Sequence, residues 1–126
     1  MEKIIIKTSL APDAVGTYSQ GSFYNGTYYF SGQIGLTPNG EMLRGFQVEL
    51  EQILKNIDGL LQSQSLNRTN ILKTSIFLTD LGNFDQVNQA YLTFFDKISY
   101  PARSCVEVPA LPKGALIEIE VIAAKG

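Results

Sequence analysis

The chain has 126 residues, 44% hydrophobic and 17% charged, with a formal net charge of −2, which is the size and balance of one globular domain, residues 1–126, able to bury a core. The absence of histidine and the single cysteine exclude a Ser-His-Asp triad, a Cys-His pair, an imidazole or thiolate metal cluster and an internal disulfide. The acidic balance gives no electrostatic reason to bind nucleic acid or anionic lipid, the apolar run Ile4-Ile5-Ile6 is too short for a signal peptide, and no run reaches membrane-spanning length, so a cytoplasmic protein is expected.

Ile4 to Ile6 reads as a short strand. Phe23-Tyr24 and Thr27 to Phe30 flank Asn25-Gly26, a pair that readily takes the two positive φ angles of a type I′ turn, so this stretch reads as a hairpin. Thr37-Pro38-Asn39-Gly40 reads as a turn. From Phe46 to Leu66, Leu50, Ile53, Leu54, Ile57, Leu60 and Leu61 recur at helical spacing and predict one helix, with Asp58-Gly59 as its weak point. Ile71 to Thr79 is rich in β-branched residues and predicts a strand with Leu72, Thr74, Ile76 and Leu78 on one face and Lys73, Ser75, Phe77 and Thr79 on the other. Asp80 or Asn83 can cap a second helix over Phe84 to Ile98, striped by Phe84, Val87, Tyr91, Phe94 and Ile98. Pro101 disfavours helix at Tyr100 and starts a strand over Ala102 to Val108. Pro109 and Pro112-Lys113-Gly114 turn the chain into a last strand, Leu116 to Ala124.

Two amphipathic helices and these strands fit an α+β protein in which both helices cover one face of a single sheet. The other face keeps the leftover alternation, including the apolar Phe77, and predicts an oligomer.

The chemistry-bearing residues concentrate in the last two strands. Alternation puts Arg103, Cys105 and Glu107 on one face of theirs, and Leu116, Glu118, Glu120 and Ile122 together on the final strand, opposite Ile117, Ile119 and Val121. If both strands join one sheet, an anion-binding group and a general acid/base share one small pocket. Arg103 is the residue for gripping a carboxylate, because its planar fork makes two parallel hydrogen bonds and stays charged. Cys105 reads either as a thiolate favoured by Arg103 or as a small half-buried hydrophobe. Glu107 and Glu120 read as a solvated sheet face. Gly16-Thr17-Tyr18-Ser19-Gln20-Gly21 is a small-residue loop whose Tyr18 belongs either to the core or to a site. Ser31-Gly32-Gln33-Ile34-Gly35 has glycines that permit close backbone approach or a bulge, but not the spacing of a nucleotide loop. Asn88, one position past Val87, is a surface amide or one that reaches a pocket at the helix edge.

Taken together, Gly16 to Gly21, Ser31 to Gly35, Thr79-Asp80-Leu81, Phe84 to Phe95, Pro101 to Val108 and Ile117 to Glu120 resemble the RidA (YjgF) family. The likeness spans nearly the whole chain. Pro-Ala-Arg-Ser-Cys-Val-Glu-Val followed by Ile-Glu-Ile-Glu is its most specific part, and Thr17, where the family usually has proline, is a departure. The resemblance implies a chorismate-mutase-like fold, a trimer with the sheets as an inner barrel, and active sites in clefts between subunits. It implies hydrolysis of reactive 2-imino acids, the 2-iminopropanoate and 2-iminobutanoate class, to 2-keto acids and ammonia without a cofactor or metal. It also implies that Arg103 binds the substrate carboxylate, that Glu118 positions the attacking water, and that Tyr18, Ser31, Asn88 and Cys105 line the pocket, the last through its backbone N–H. Three rival readings belong to other classes: a keto-acid-binding regulator without turnover, an RNA-acting translation inhibitor, and a holdase chaperone. Imine hydrolysis separates the enzyme from the regulator, and salt-dependent RNA binding would mark the second rival.

Overall fold

The computed structural model describes residues 2–126. Strands β1 (Ile4–Ile6), β2 (Gly21–Tyr24), β3 (Thr27–Gln33), β4 (Ile71–Leu78), β5 (Ala102–Glu107) and β6 (Ile117–Ala124) form one six-stranded sheet in the order β1-β2-β3-β6-β4-β5. Every pairing is antiparallel except β4 with β5. The hairpin forms as read: Asn25 and Gly26 take φ of 50° and 85°. Helix α1 (Phe46–Ser63) and helix α2 (Phe84–Phe94) supply the apolar stripes, and Leu50, Ile53, Leu60, Val87 and Phe94 pack with Ile76, Leu78, Ile117, Ile119 and Val121 of the sheet. Gly59 does not break α1. A Cβ there would fall 2.2 Å from the Leu10 carbonyl oxygen, so the glycine admits a loop against the helix.

Three expectations are corrected. Helix α1 stops at Ser63 rather than Leu66, because Ser65 turns to φ 58° and the Leu66 N–H reaches back to the Leu61 carbonyl. Helix α2 stops at Phe94 rather than Ile98, with Lys97 at φ 61° reversing the chain. Leu72 does not share the buried face with Thr74, Ile76 and Leu78: an irregularity between Ile71 and Lys73 leaves it exposed.

Register decides the two faces of the sheet. Cys105 lies beside Ile76, which lies beside Ile119, all on the helix-covered side. Val106, Phe77 and Glu118 form the next row, on the open side, and Ser104, Ser75 and Glu120 the row after it. Val106 is 46% exposed and Phe77 half-buried, so the open side is partly apolar, as the alternation predicted.

Candidate active site: two half-sites on opposite faces

Arg103 stands on the edge strand β5, on the helix side. Its Nη1 donates to Asn88 Oδ1 at 2.6 Å, and the guanidinium carbon lies 5.0 Å from the Phe84 ring centre and 5.5 Å from that of Tyr91. These are cation–π distances. Among the described residues the only ion pair is Arg68–Asp58, so a neutral amide and two rings hold Arg103 while its charge stays uncompensated. The cleft beside it, about 420 Å³, is lined by Asn88, Tyr91, Leu92, Tyr100, Pro101 and Arg103. Tyr91 is buried beneath, its hydroxyl donating to Thr74 Oγ1 at 2.9 Å, and burial pushes its pKa up to about 12. It is a neutral support for the guanidinium.

Cys105 follows two residues on and packs against the core. Burial raises the pKa of its thiol, and the nearby Arg103 charge only opposes that rise. A raised pKa disfavours the thiolate a nucleophile needs, so of the two readings of Cys105 the half-buried hydrophobe agrees with its surroundings. Its backbone is better placed. The Val108 N–H donates to the Leu78 carbonyl across the β4–β5 pair. Strand alternation therefore turns the N–H groups of Arg103, Cys105 and Glu107 to the unpaired outer edge of β5. Glu107 acts locally, its Oε1 accepting from the Leu81 N–H and fixing the turn before α2.

Glu118 lies on the other side of the sheet. The expectation that the guanidinium and the carboxylate share one pocket fails within one chain. β4 separates their strands by roughly 10 Å of sheet, and the register turns their side chains to opposite faces. Glu118 instead lines a second cavity, about 530 Å³, with Tyr18, Ser31, Gly32, Lys113 and Glu120. Tyr18 is 56% exposed there and is not a core residue. Burial raises the Glu118 pKa above the ordinary carboxylate value, with a further push from the Glu120 charge.

The wall of this cavity rests on Ser31 and Gly32, which the sequence offered, and on Gln20, which it did not single out. A bulge between Phe30 and Gln33 frees Ser31 and Gly32 from regular pairing. Ser31 Oγ donates to the Ser19 carbonyl at 2.6 Å and its N–H to the Gln20 carbonyl at 2.9 Å, so Ser31 moors the Tyr18 loop. Gln20 is buried and pins Thr8, Ala11 and Pro12 through its amide. Glu49 is also buried, with both oxygens accepting backbone N–H groups, from Gly45 at 3.1 Å and from Leu116 at 2.8 Å, which fixes the start of β6. The only sequence signal for Gln20 was its place between the glycines of one loop. Glu49 gave none.

A single sheet covered on one face by two helices, with a guanidinium outside any ion pair on one side and a half-buried carboxyl on the other, defines the class as a single-sheet α+β protein. Known proteins share this fold. The chain belongs to the RidA (YjgF) family: the family model described as endoribonuclease L-PSP matches residues 8–125. A human protein named 2-iminobutanoate/2-iminopropanoate deaminase is 42% identical over 124 residues, covering 97% of this chain and 90% of its own. Among solved structures, a Rid-family protein of unknown function from Yersinia pestis superposes with a TM-score of 0.96 at 46% identity, covering 98% of this chain and all of its own. E. coli TdcF with bound serine superposes at 0.92 with 38% identity, covering 98% and 99%.

Proposed function

We propose that this protein is a 2-iminobutanoate/2-iminopropanoate deaminase, an enzyme that hydrolyses reactive 2-imino acids to 2-keto acids and ammonia, and that it works as a cytoplasmic homotrimer. The observation that carries the reading is Arg103, a guanidinium held in place with its charge unspent. Relatives over nearly the full chain bear the deaminase name. The opposite placement of Arg103 and Glu118 favours a site closed between subunits, where one chain's β5 edge meets a neighbour's Glu118 cavity, and the partly apolar open face favours such packing.

In this mechanism Arg103 takes the substrate carboxylate in its fork, aided by the Cys105 N–H on the strand edge. The protonated imine is already electrophilic at carbon. A neighbour's Glu118, ionised, accepts a proton as water adds to that carbon and the C=N electron pair moves to nitrogen, giving a carbinolamine. The protonated Glu118 then returns the proton to the amine. The C–N bond breaks as the hydroxyl oxygen forms C=O, and the hydroxyl proton leaves with ammonia as ammonium. Positioning and one proton shuttle suffice. The raised pKa of Glu118 suits both halves of that shuttle.

The test is ammonia and keto-acid release from imines generated in place by a threonine dehydratase, with this protein added or withheld. Acceleration is expected. Keto-acid binding with no acceleration would replace the enzyme by the regulatory binding protein. The family model's description makes RNA the natural control substrate: no strong, salt-dependent RNA binding is expected from a chain of net charge −2.

A further inference from the structure

The Ser31-Gly32 bulge does more than bend β3. A Cβ built on Gly32 would lie 2.2 Å from Glu118 Oε2 and 2.8 Å from its carboxyl carbon. The carboxyl therefore occupies the space that any side chain at position 32 would fill. Gly32 does not have the positive φ that would demand glycine for backbone reasons. What glycine supplies here is volume.

We propose that Gly32 is a positioning residue for Glu118: its missing side chain is the seat on which the carboxyl rests, and the seat fixes where the acid/base stands in the cavity. The inference rests on the reading of Glu118 as the proton shuttle for its catalytic meaning, and on contact geometry alone for its steric meaning. Three features converge. The bulge breaks the β3–β6 ladder at this point, bringing the Gly32 backbone against the side chain of Glu118 rather than beside a regular partner. Ser31 fixes the bulge to the Tyr18 loop through Ser19 and Gln20, so the seat cannot easily recede. No backbone or side-chain donor among the described residues holds the Glu118 carboxyl, whereas Glu49 has a donor on each oxygen. With nothing else to fix it, the carboxyl takes its position from the surface it lies on. A methyl group would push it into the cavity by about 1 Å or more before ordinary van der Waals contact is restored.

Two readouts test this, one of them independent of turnover. In a crystal structure of Gly32→Ala the Glu118 carboxyl should stand about 1 Å or more further into the cavity, because the atom a Cβ would meet is the end of a flexible side chain and gives way before the moored bulge does. A carboxyl left in its parental place with the Ser31-Gly32 backbone moved instead, or a Gly32→Ala chain that does not fold, overturns the seat. In imine hydrolysis, Gly32→Ala should lower kcat roughly 10²-fold, the low end of positioned proton transfer, while 2-keto acid affinity through Arg103 changes by less than about threefold, and it should cost nothing further on a Glu118→Gln background. A parental kcat in Gly32→Ala overturns the positioning role. If the parent hydrolyses no imine, the deaminase reading falls, and the structure of Gly32→Ala alone still decides whether Gly32 seats Glu118.

Discussion

The Arg103 cleft and the Glu118 cavity prepare opposite charges by opposite means. Arg103 sits on an outer strand and is steadied from outside that strand, by an amide and two rings on α2. Those supports orient the cation without neutralising it. Glu118 sits on an interior strand and is steadied by shape, the glycine seat of β3. It is half-buried and has a like-charged neighbour, both of which raise its basicity, and no donor among the described residues lowers it. Glu49 gives the contrast inside the same chain: a carboxylate whose oxygens are both occupied serves structure. The lesson is that each half-site leaves its charge unanswered by its own chain, one by neutral support and the other by lack of support.

The sharpest way to break this comparison is at Glu118. Glu118→Gln keeps size and a hydrogen bond to water but cannot take a proton, so turnover should fall about 10²–10⁴-fold while calorimetry still detects keto-acid binding. Equal turnover in variant and parent would leave the Glu118 cavity without a chemical role. Arg103→Ala should fail in the complementary way, losing roughly 2–5 kcal/mol of recognition as lost kcat/KM together with lost keto-acid binding. Arg103→Lys should rescue little, because an ammonium lacks the fork, and full rescue by Lys would mean that point charge alone suffices.

A smaller effect sharpens the electrostatic side. Hydrolysis requires ionised Glu118 at the start, so activity should fall as pH drops through its raised pKa. Glu120→Gln removes the like charge and should move that acid limb downward, by less than the whole shift because burial is the larger cause. A limb that does not move would assign the entire rise to burial. The same shift has a stability consequence. The folded state holds the Glu118 proton more tightly than the unfolded chain, so Glu118 costs stability once pH exceeds its folded pKa and costs none below its unfolded value. Glu118→Gln should therefore unfold at a slightly higher temperature than the parent at neutral pH. The smallest expected effect is at Cys105. With its thiol pKa raised and only its backbone N–H at the strand edge, Cys105→Ser should retain activity within about threefold, since Ser keeps the size and the N–H. Near-complete loss in a folded protein would restore the thiol as a nucleophile.

Much of this was legible from the chain. The Asn-Gly hairpin, the two apolar stripes and the alternation of the last strands are local signals, and each formed. The helix ends were not, because the residues that turn left-handed are Ser65 and Lys97 rather than glycines. The split of the site was hidden for a related reason. Alternation says which residues of one strand share a face, but whether Arg103 and Glu118 face the same side depends on how β5 and β6 register against β4. Gln20 and Glu49 escaped because their meaning lies in distant backbone partners, Thr8 in one case and Leu116 in the other. Gly32 was visible as a candidate for close approach, though what approaches is the protein's own acid rather than a ligand.

The placement of the two half-sites on opposite faces has a genetic consequence. In the proposed trimer each site draws its arginine from one subunit and its glutamate from another, so an Arg103 allele and a Glu118 allele damage different halves of every site. Two such alleles, each null alone, should complement when co-expressed. Random mixing would leave a site whole only when the glutamate-deficient chain supplies the arginine and the arginine-deficient chain supplies the glutamate, about a quarter of all sites for subunits packed head-to-tail around a threefold axis. Two inactive chains would then yield an active enzyme, whereas two alleles that damage the same half would never do so.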